Sequence, residues 1–467
     1  MKRGLVAAIA ALALAVPAHA GGPRLWVGAA EDAVKSVDPV TTKAKLTMAR
    51  LAGLDTVRIT VLWARGQTAI PEGEEAQLDS LEQAARLAGI RVVVSIYPYG
   101  SSQTPLTDEW RAQFAGYAAT VARAHPSFRE YIVGNEPNIN RFWLPQFAED
   151  GSSVSAAAFY LLLAQTYDAL KQVSPAVKIW GTGLSPRGSD NPALARHTHS
   201  PTKFIRDLGA AWRASGRTTP IMDGLAIHPY GDNSSQAPRD SAHPNSTYIG
   251  LADYDKLNAL LVEAFGKELP ILYDEYGVET NIPAAKTSLY TGTEPATTRP
   301  VDEATQATYY RQAVEMAFCQ PNVHGLLLFH FEDEKARLAW QSGMYYADAT
   351  PRASLPVVRR AAEESRRGVV ARCPDLKLTP RATLRYLGGR AFTLRCDIDC
   401  SYRVSVRVGN RYVARQSGRA IGGAAKRLAF RIPVGRRARA EATLRAPLNP
   451  GPTGRASSAW VRTSNIQ

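Results

Sequence analysis

Residues 131–140 read YIVGNEPNIN. Three apolar residues, Tyr131-Ile132-Val133, run without alternation into Gly134, and Asn135, Glu136 and Pro137 follow at once. Successive side chains of a strand point to opposite faces, so an uninterrupted apolar run suits a strand that is dry on both. Seven other stretches of the 467-residue chain have this character: 25–28, 56–63, 91–97, 177–181, 224–228, 270–274 and 324–329. Val92-Val93-Val94 and Leu326-Leu327-Leu328 are the clearest. Helix-length segments lie between and after them, at about 41–53, 76–88, 108–124, 154–173, 201–214, 252–266, 303–319 and 353–367. Leu257, Leu260, Leu261, Ala264 and Phe265 fall on one helix face. Thr107 followed by Asp108 and Glu109 reads as a cap with acids in the first turn. Eight strands alternating with eight helices predict an α/β fold, a (β/α)8 TIM barrel. A doubly wound open sheet is the alternative, disfavoured because no Gly-x-Gly-x-x-Gly opens an early helix.

The chain is 45% hydrophobic and 21% charged, an ordinary globular composition. Its first twenty residues differ. Lys2 and Arg3 precede an apolar run over 5–16, and Ala18-His19-Ala20 stands before Gly21. That order of basic, apolar and cleavable segments reads as a signal peptide, too short for a membrane span. No later stretch approaches ~18 unbroken apolar residues, so no transmembrane segment is expected and the protein is expected to be secreted or at the cell surface. Four cysteines suit an oxidising compartment. They allow three pairings; Cys396 with Cys400, close in sequence, and Cys319 with Cys373, each flanking an expected helix end, are favoured. A zinc site is disfavoured because nothing completes a tetrahedral set, and His197 and His199 read as surface loop residues. No cofactor and no metal are expected.

The charge is uneven. From residue 375 to 467 there are 19 Lys+Arg and 4 Asp+Glu, so this tail carries +15 of a total of +14, and residues 1–374 sum to −1. Here the pattern turns to period two: Val404, Val406 and Val408 alternate with Arg403, Ser405 and Arg407. After a Gly409-Asn410 turn the chain returns, and Leu428, Phe430, Ile432 and Val434 alternate likewise. A small basic β-sandwich, Ig-like, is expected over 375–467, after a leader over 1–20 and a barrel over 21–374.

Barrel enzymes carry their chemistry at the carboxyl ends of the strands. Those ends hold Arg58 and Trp63 on the second run, Tyr97 and Tyr99 on the third, Asn135-Glu136 on the fourth, His228-Pro229-Tyr230 on the sixth, and Asp274-Glu275-Tyr276 on the seventh. The eighth gives Phe329-His330-Phe331 and then Glu332-Asp333-Glu334. Glu136 and Glu275 thus stand on opposite sides of an eight-stranded ring. Glycoside hydrolysis needs such a pair: one carboxylic acid protonates the leaving oxygen while the other attacks the sugar or activates water.

GNEP at 134–137 and DEYG at 274–277 resemble the acid/base and nucleophile segments of clan A glycoside hydrolases. The cellulase-like family 5 is similar, and GNEPNINRFW also resembles the β-xylosidase-like family 39. The resemblance covers roughly residues 24–372. It implies a retaining O-glycosyl hydrolase acting on β-linked glycosides or polysaccharides, with Glu136 as acid/base and Glu275 as nucleophile. It further implies that Asn135 binds the sugar 2-hydroxyl, that Arg58 positions the nucleophile, that His228 binds substrate and that Tyr230 hydrogen-bonds Glu275. The tryptophan platform usual after the eighth strand of family 5 is absent. Phe329, His330 or Phe331, or Trp340 beyond, would replace it, and Tyr97 and Tyr99 occupy the place of a histidine at the third strand. Trp63, Tyr97, Tyr99 and Phe331 are candidates for contact with the apolar faces of a sugar. The basic tail is read as a solvated face or as a site for an anionic cell-wall polymer. Nucleic acid is not expected as a partner, because aromatics are not interleaved with the basic residues. A non-catalytic carbohydrate-binding or cell-surface protein on the same barrel is the second reading.

Overall fold

Eight strands close on themselves in the computed structural model, which describes residues 21–464. The leader expected over 1–20 lies outside the described residues. Strands and helices alternate along the chain: β1 (Trp26–Ala30), α1 (Pro39–Leu51), β2 (Thr56–Trp63), α2 (Glu72–Ala88), β3 (Arg91–Pro98), α3 (Asp108–Ala124), β4 (Glu130–Val133) and α4 (Ser155–Val173). The second half continues with β5 (Lys178–Leu184), α5 (Pro201–Ala214), β6 (Gly224–Ile227), α6 (Tyr254–Phe265), β7 (Ile271–Tyr276), α7 (Glu303–Cys319), β8 (Val323–Phe329) and α8 (Ser354–Arg366). Every neighbouring pair is parallel, and β1 pairs with β8 to close the ring. The expected barrel is therefore present, with strand and helix limits displaced by a few residues at most.

The unbroken apolar runs divide between two cores. Val93 of β3, Ile132 of β4, Leu272 of β7 and Leu327 of β8 point into the barrel, where they meet Trp180 and Ala226. Their sequence neighbours Val92, Val94, Tyr131, Val133, Leu326 and Leu328 point outward against the helices. Leu257, Leu260, Leu261, Ala264 and Phe265 of α6 are all buried, as their spacing requires. Thr107 caps α3, its hydroxyl accepting from the Trp110 N–H at 3.2 Å.

Beyond α8 the chain forms β9 (Ala382–Gly388), β10 (Ala391–Cys396), β11 (Cys400–Val408), β12 (Arg411–Ala420), β13 (Ala425–Ala429), β14 (Arg437–Arg445), β15 (Gly454–Ser457) and β16 (Val461–Arg462). Two antiparallel sheets result, one ordered β13-β10-β9 and one β12-β11-β14-β15, with β16 also on β14. Phe392, Leu394 and Leu428 of the first meet Val404, Val406, Ala440 and Leu444 of the second in one apolar core. The sandwich is tied to the barrel by Leu376, Leu378, Ile398 and Ala446, which join the barrel's own cluster. Arg367 adds a two-pronged pair to Asp399 at 2.9 and 2.7 Å. Cys319 and Cys373 are bonded with Cα atoms 5.2 Å apart, and so are Cys396 and Cys400 at 6.6 Å, the pairing favoured from the sequence.

Gly134, immediately after β4, takes φ +102°, and a Cβ there would stand 2.9 Å from the Phe159 ring. Both the backbone and the space demand glycine. Gly134→Ala is expected to lower stability by about 1–3 kcal/mol in chemical denaturation; an unchanged midpoint would show that α4 yields at no cost.

Candidate active site

The floor of the site is a buried cation. Arg58 lies on β2 at a position whose parity points it inward, while Val57, Ile59, Val61 and Trp63 face the helices. Its guanidinium donates to Asn135 Oδ1 at 2.8 Å, to Ser95 Oγ at 3.1 Å and to Glu275 Oε1, and its Nε is 3.4 Å from Asp274 Oδ2. Burial works against the charge, but Glu275 and Asp274 outweigh it and hold the group above its ordinary pKa.

His228, at the end of β6 and fully buried, is the second hub. Its Nδ1 lies 3.1 Å from Glu136 Oε1 and 3.3 Å from Glu275 Oε2, and its Nε2 lies 3.2 Å from Asp274 Oδ2. Two contacts of 3.1 and 3.3 Å meeting at one nitrogen put those glutamate oxygens at most 6.4 Å apart. Desolvation alone would depress the imidazole, but Glu275 and Asp274 override it and raise its pKa to about 10. Asp274 is buried, which disfavours its charge, yet the His228 and Arg58 cations leave its pKa lowered. Tyr230 donates to Glu275 Oε2 at 3.0 Å, and burial together with that carboxylate keeps its phenol protonated.

Asn135 with Glu136, and Asp274 with Glu275, are sequence neighbours. In a regular strand each pair would split between the two faces. Two irregularities prevent this. On β7, Tyr273 pairs with Leu326 and Tyr276 with Leu328, so three steps oppose two and a bulge turns both acids inward. After β4, Glu136 adopts φ +44°, a region costly for a residue with a Cβ, while its N–H donates to Gly183 O at 2.7 Å.

Above these groups opens a cavity of about 650 Å³ lined by Arg58, Tyr97, Asn135, Glu136, Tyr230 and Glu275. Its rim includes Glu31, Asp32, Arg141, Phe142, His330 and Trp340. A second cavity of about 870 Å³ shares Glu136, Tyr230 and Trp340 with the first and extends toward Arg187, Asp232 and Arg299. Trp340 stacks on Tyr230 at 5.0 Å between ring centres and lies edge-on to Phe329 at 5.2 Å.

The structure thus gathers Arg58, Asn135, Glu136, His228, Tyr230, Glu275 and Tyr97 into one cleft. Three expected aromatic contacts lie elsewhere. Trp63 is fully buried against Phe114, on the helix-facing side of β2. Phe331 is also fully buried, edge-on to Tyr345 beneath the loop after β8. Tyr99 is 67% exposed and stands beyond the end of β3, outside the residues that line the cleft. Trp340 and His330 occupy the place after β8. His199, read as a surface loop residue, is fully buried, beside Phe147 and 3.0 Å from Gln146 O. Arg141, Phe142, Glu31 and Asp32 carried no signal in the sequence, because the loops that bring them in have no periodicity.

No protein-family model and no curated protein matches the chain in sequence. Solved structures match in fold. A family 39 glycoside hydrolase from the gut symbiont Bacteroides cellulosilyticus WH2 superposes with a TM-score of 0.53 at 15% identity, over 88% of this chain and 82% of the other. A GH5_18 structure from Streptomyces cattleya in complex with GlcNAc gives 0.52 at 16% identity, over 77% and 84%. A glucosidase from Croceicoccus marinus gives 0.50 at 12%, over 87% and 93%. The chain shares its barrel fold with these glycoside hydrolases.

The His228 shift has a sign. A group whose pKa is raised on folding, here from 6.5 to about 10, stabilises fully below the lower value, and the contribution is lost as pH rises through the upper one. Stability in urea should therefore fall between about pH 7 and 10, and the His228 ring, followed by NMR, should remain protonated through most of that range. A ring titrating near its free value would refute the assignment.

Proposed function

We propose that the protein is a retaining glycoside hydrolase acting on a carbohydrate substrate. The observation that carries this reading is the approach of Glu136 and Glu275 to one imidazole nitrogen, which puts Glu136 Oε1 and Glu275 Oε2 at most 6.4 Å apart. Double displacement uses carboxyls ~5–5.5 Å apart, whereas inversion needs ~6.5–9.5 Å to admit water.

The contacts support a division of roles. Glu275 is held by Arg58 and Tyr230, which orient its carboxyl group for in-line attack. Among the described residues the Glu136 carboxyl has one hydrogen-bonding partner, His228, and it lies where the two cavities meet, which suits it to carry the proton. In the first step Glu136 gives its proton to the glycosidic oxygen, the bond from that oxygen to the anomeric carbon breaks, and a Glu275 oxygen bonds to that carbon. In the second step Glu136 takes a proton from water, the water oxygen bonds to the carbon, and the ester to Glu275 breaks. Asn135 is oriented through its carbonyl by Arg58, and its amide, which donates to no group among the described residues, can donate to the sugar 2-hydroxyl. Trp340 and Tyr97 offer faces to the sugar ring.

Glu136→Gln and Glu275→Gln are each expected to lower turnover of an accepted aryl β-glycoside by at least about 10²–10⁴-fold, and the wild type is expected to release its product first as the β-anomer, followed by NMR. An inverted first product would overturn the mechanism. Full activity in either variant would overturn the glycosidase reading and leave a carbohydrate-binding protein. The order of segments in residues 2–20 supports action after export, and a mature secreted chain beginning at Gly21 is the expected result of N-terminal sequencing.

A further inference from the structure

The outer face of the larger C-terminal sheet carries a pattern that the barrel's chemistry does not use. Along β11 the buried Tyr402, Val404 and Val406 alternate with outward Ser401, Arg403, Ser405 and Arg407. The ladders extend each outward residue sideways. Ser401 lies between Arg419 of β12 and Arg445 of β14. Arg403 lies between Ser417 and Thr443, and Thr443 pairs onward with Arg455 of β15. Ser405 lies between Arg415 and Glu441, which pairs onward with Ser457. Past a bulge, Arg407 lies between Tyr412 and Arg439. Guanidinium and hydroxyl side chains therefore alternate along β11 and across the rows of Ser401 and Arg403, at spacings of about 4.8 Å across the strands and ~7 Å along them.

Seven arginines of these four rows share the face with one carboxylate. Among the described residues only Arg407 has an acidic partner, Glu441 at 3.7 Å; no carboxylate lies within 4.0 Å of the other six. Arg407 stands directly opposite Arg439, an arrangement that costs stability in a sheet without a counter-charge. The face is exposed at Arg403, Arg415, Arg419, Arg445 and Arg455. Arg407 approaches two aromatic rings, 5.7 Å from the Tyr412 centre and 5.8 Å from that of Trp460. Hydroxyls set between the charges suit a ligand that offers both hydroxyl and anionic groups.

We infer that this sheet face is a binding site for a linear anionic polysaccharide, one bearing carboxylates on repeated sugar units. It is a second carbohydrate site, on the domain opposite in charge to its ligand, and it does not depend on the barrel being active. The full-length protein should be retained on immobilised polygalacturonate at about 50 mM salt and released as screening increases, with no retention on neutral dextran. The triple variant Arg403→Gln, Arg415→Gln, Arg419→Gln should bind at least about tenfold more weakly, with unchanged circular dichroism and unchanged turnover in the cleft. The matching triple lysine variant, which keeps the charge, should retain most of the binding. Three results would each overturn the proposal: no preference of the wild type for the acidic polymer over dextran, undiminished binding by the glutamine variant, or tighter binding to single-stranded DNA than to polygalacturonate.

Discussion

A guanidinium in the dry centre of a barrel has to be answered by charge, and the site is organised around that necessity. Arg58 reaches residues from three other strands: Ser95 on β3, Asn135 after β4, and Asp274 with Glu275 on β7. Removing one partner of a buried ion pair costs ~3–5 kcal/mol, because the remaining charge is left without solvent. The carboxylates are therefore held in place by the folding energy of the barrel, not by local loop structure. His228 extends the same network to the far side, joining Asp274 to Glu136. Position and protonation are fixed together: the charges that hold these groups also keep Asp274 and His228 ionised.

Most of the barrel was legible because both-faces burial leaves a plain trace. A strand with one solvated face would have alternated, and Tyr131-Ile132-Val133 did not, since Ile132 fills the barrel while its neighbours pack on helices. Parity, applied from Arg58, also separates Trp63 from the cleft: an odd number of residues lies between two positions on the same face, and 58 to 63 fails that test. What the pattern could not show is where parity is broken. Adjacent acids at Asp274 and Glu275 read as one inward residue and one outward. Only the bulge on β7 admits both. The positive φ of Glu136 does the same for Asn135 and Glu136. Such departures from regular geometry arise from register with neighbouring strands, which no local stretch encodes.

The loops were the illegible part. Phe331, expected at the cleft, is drawn under the loop by contacts with Tyr345, and Trp340, nine residues later, comes forward to stack on Tyr230. Arg141 and Phe142, just past the fourth strand, reach the rim from a segment with no period to read. The strand ends were the reliable guide because the sheet fixes them, whereas the cleft wall depends on how long connections fold back over it.

The two halves of the chain treat charge in opposite ways. In the barrel, cations and anions are nearly equal in number, and its deepest ones are matched within the fold, as Arg58 and Arg352 are by Glu275 and Asp333. Their function is internal: to hold groups still and set their protonation. In the sandwich, arginines greatly outnumber acids, and among the described residues most face water without an acidic partner, so they add nothing to its core, which Phe392, Val404 and Leu444 build without them. Self-repulsion of that kind weakens a compact domain, and solubility alone does not need a single-signed face, because mixed charges serve as well. Because the register of β11 with β12 and β14 sets the guanidinium groups in rows, the repulsion falls on one surface, where an extended ligand of opposite charge would relieve it along its whole length.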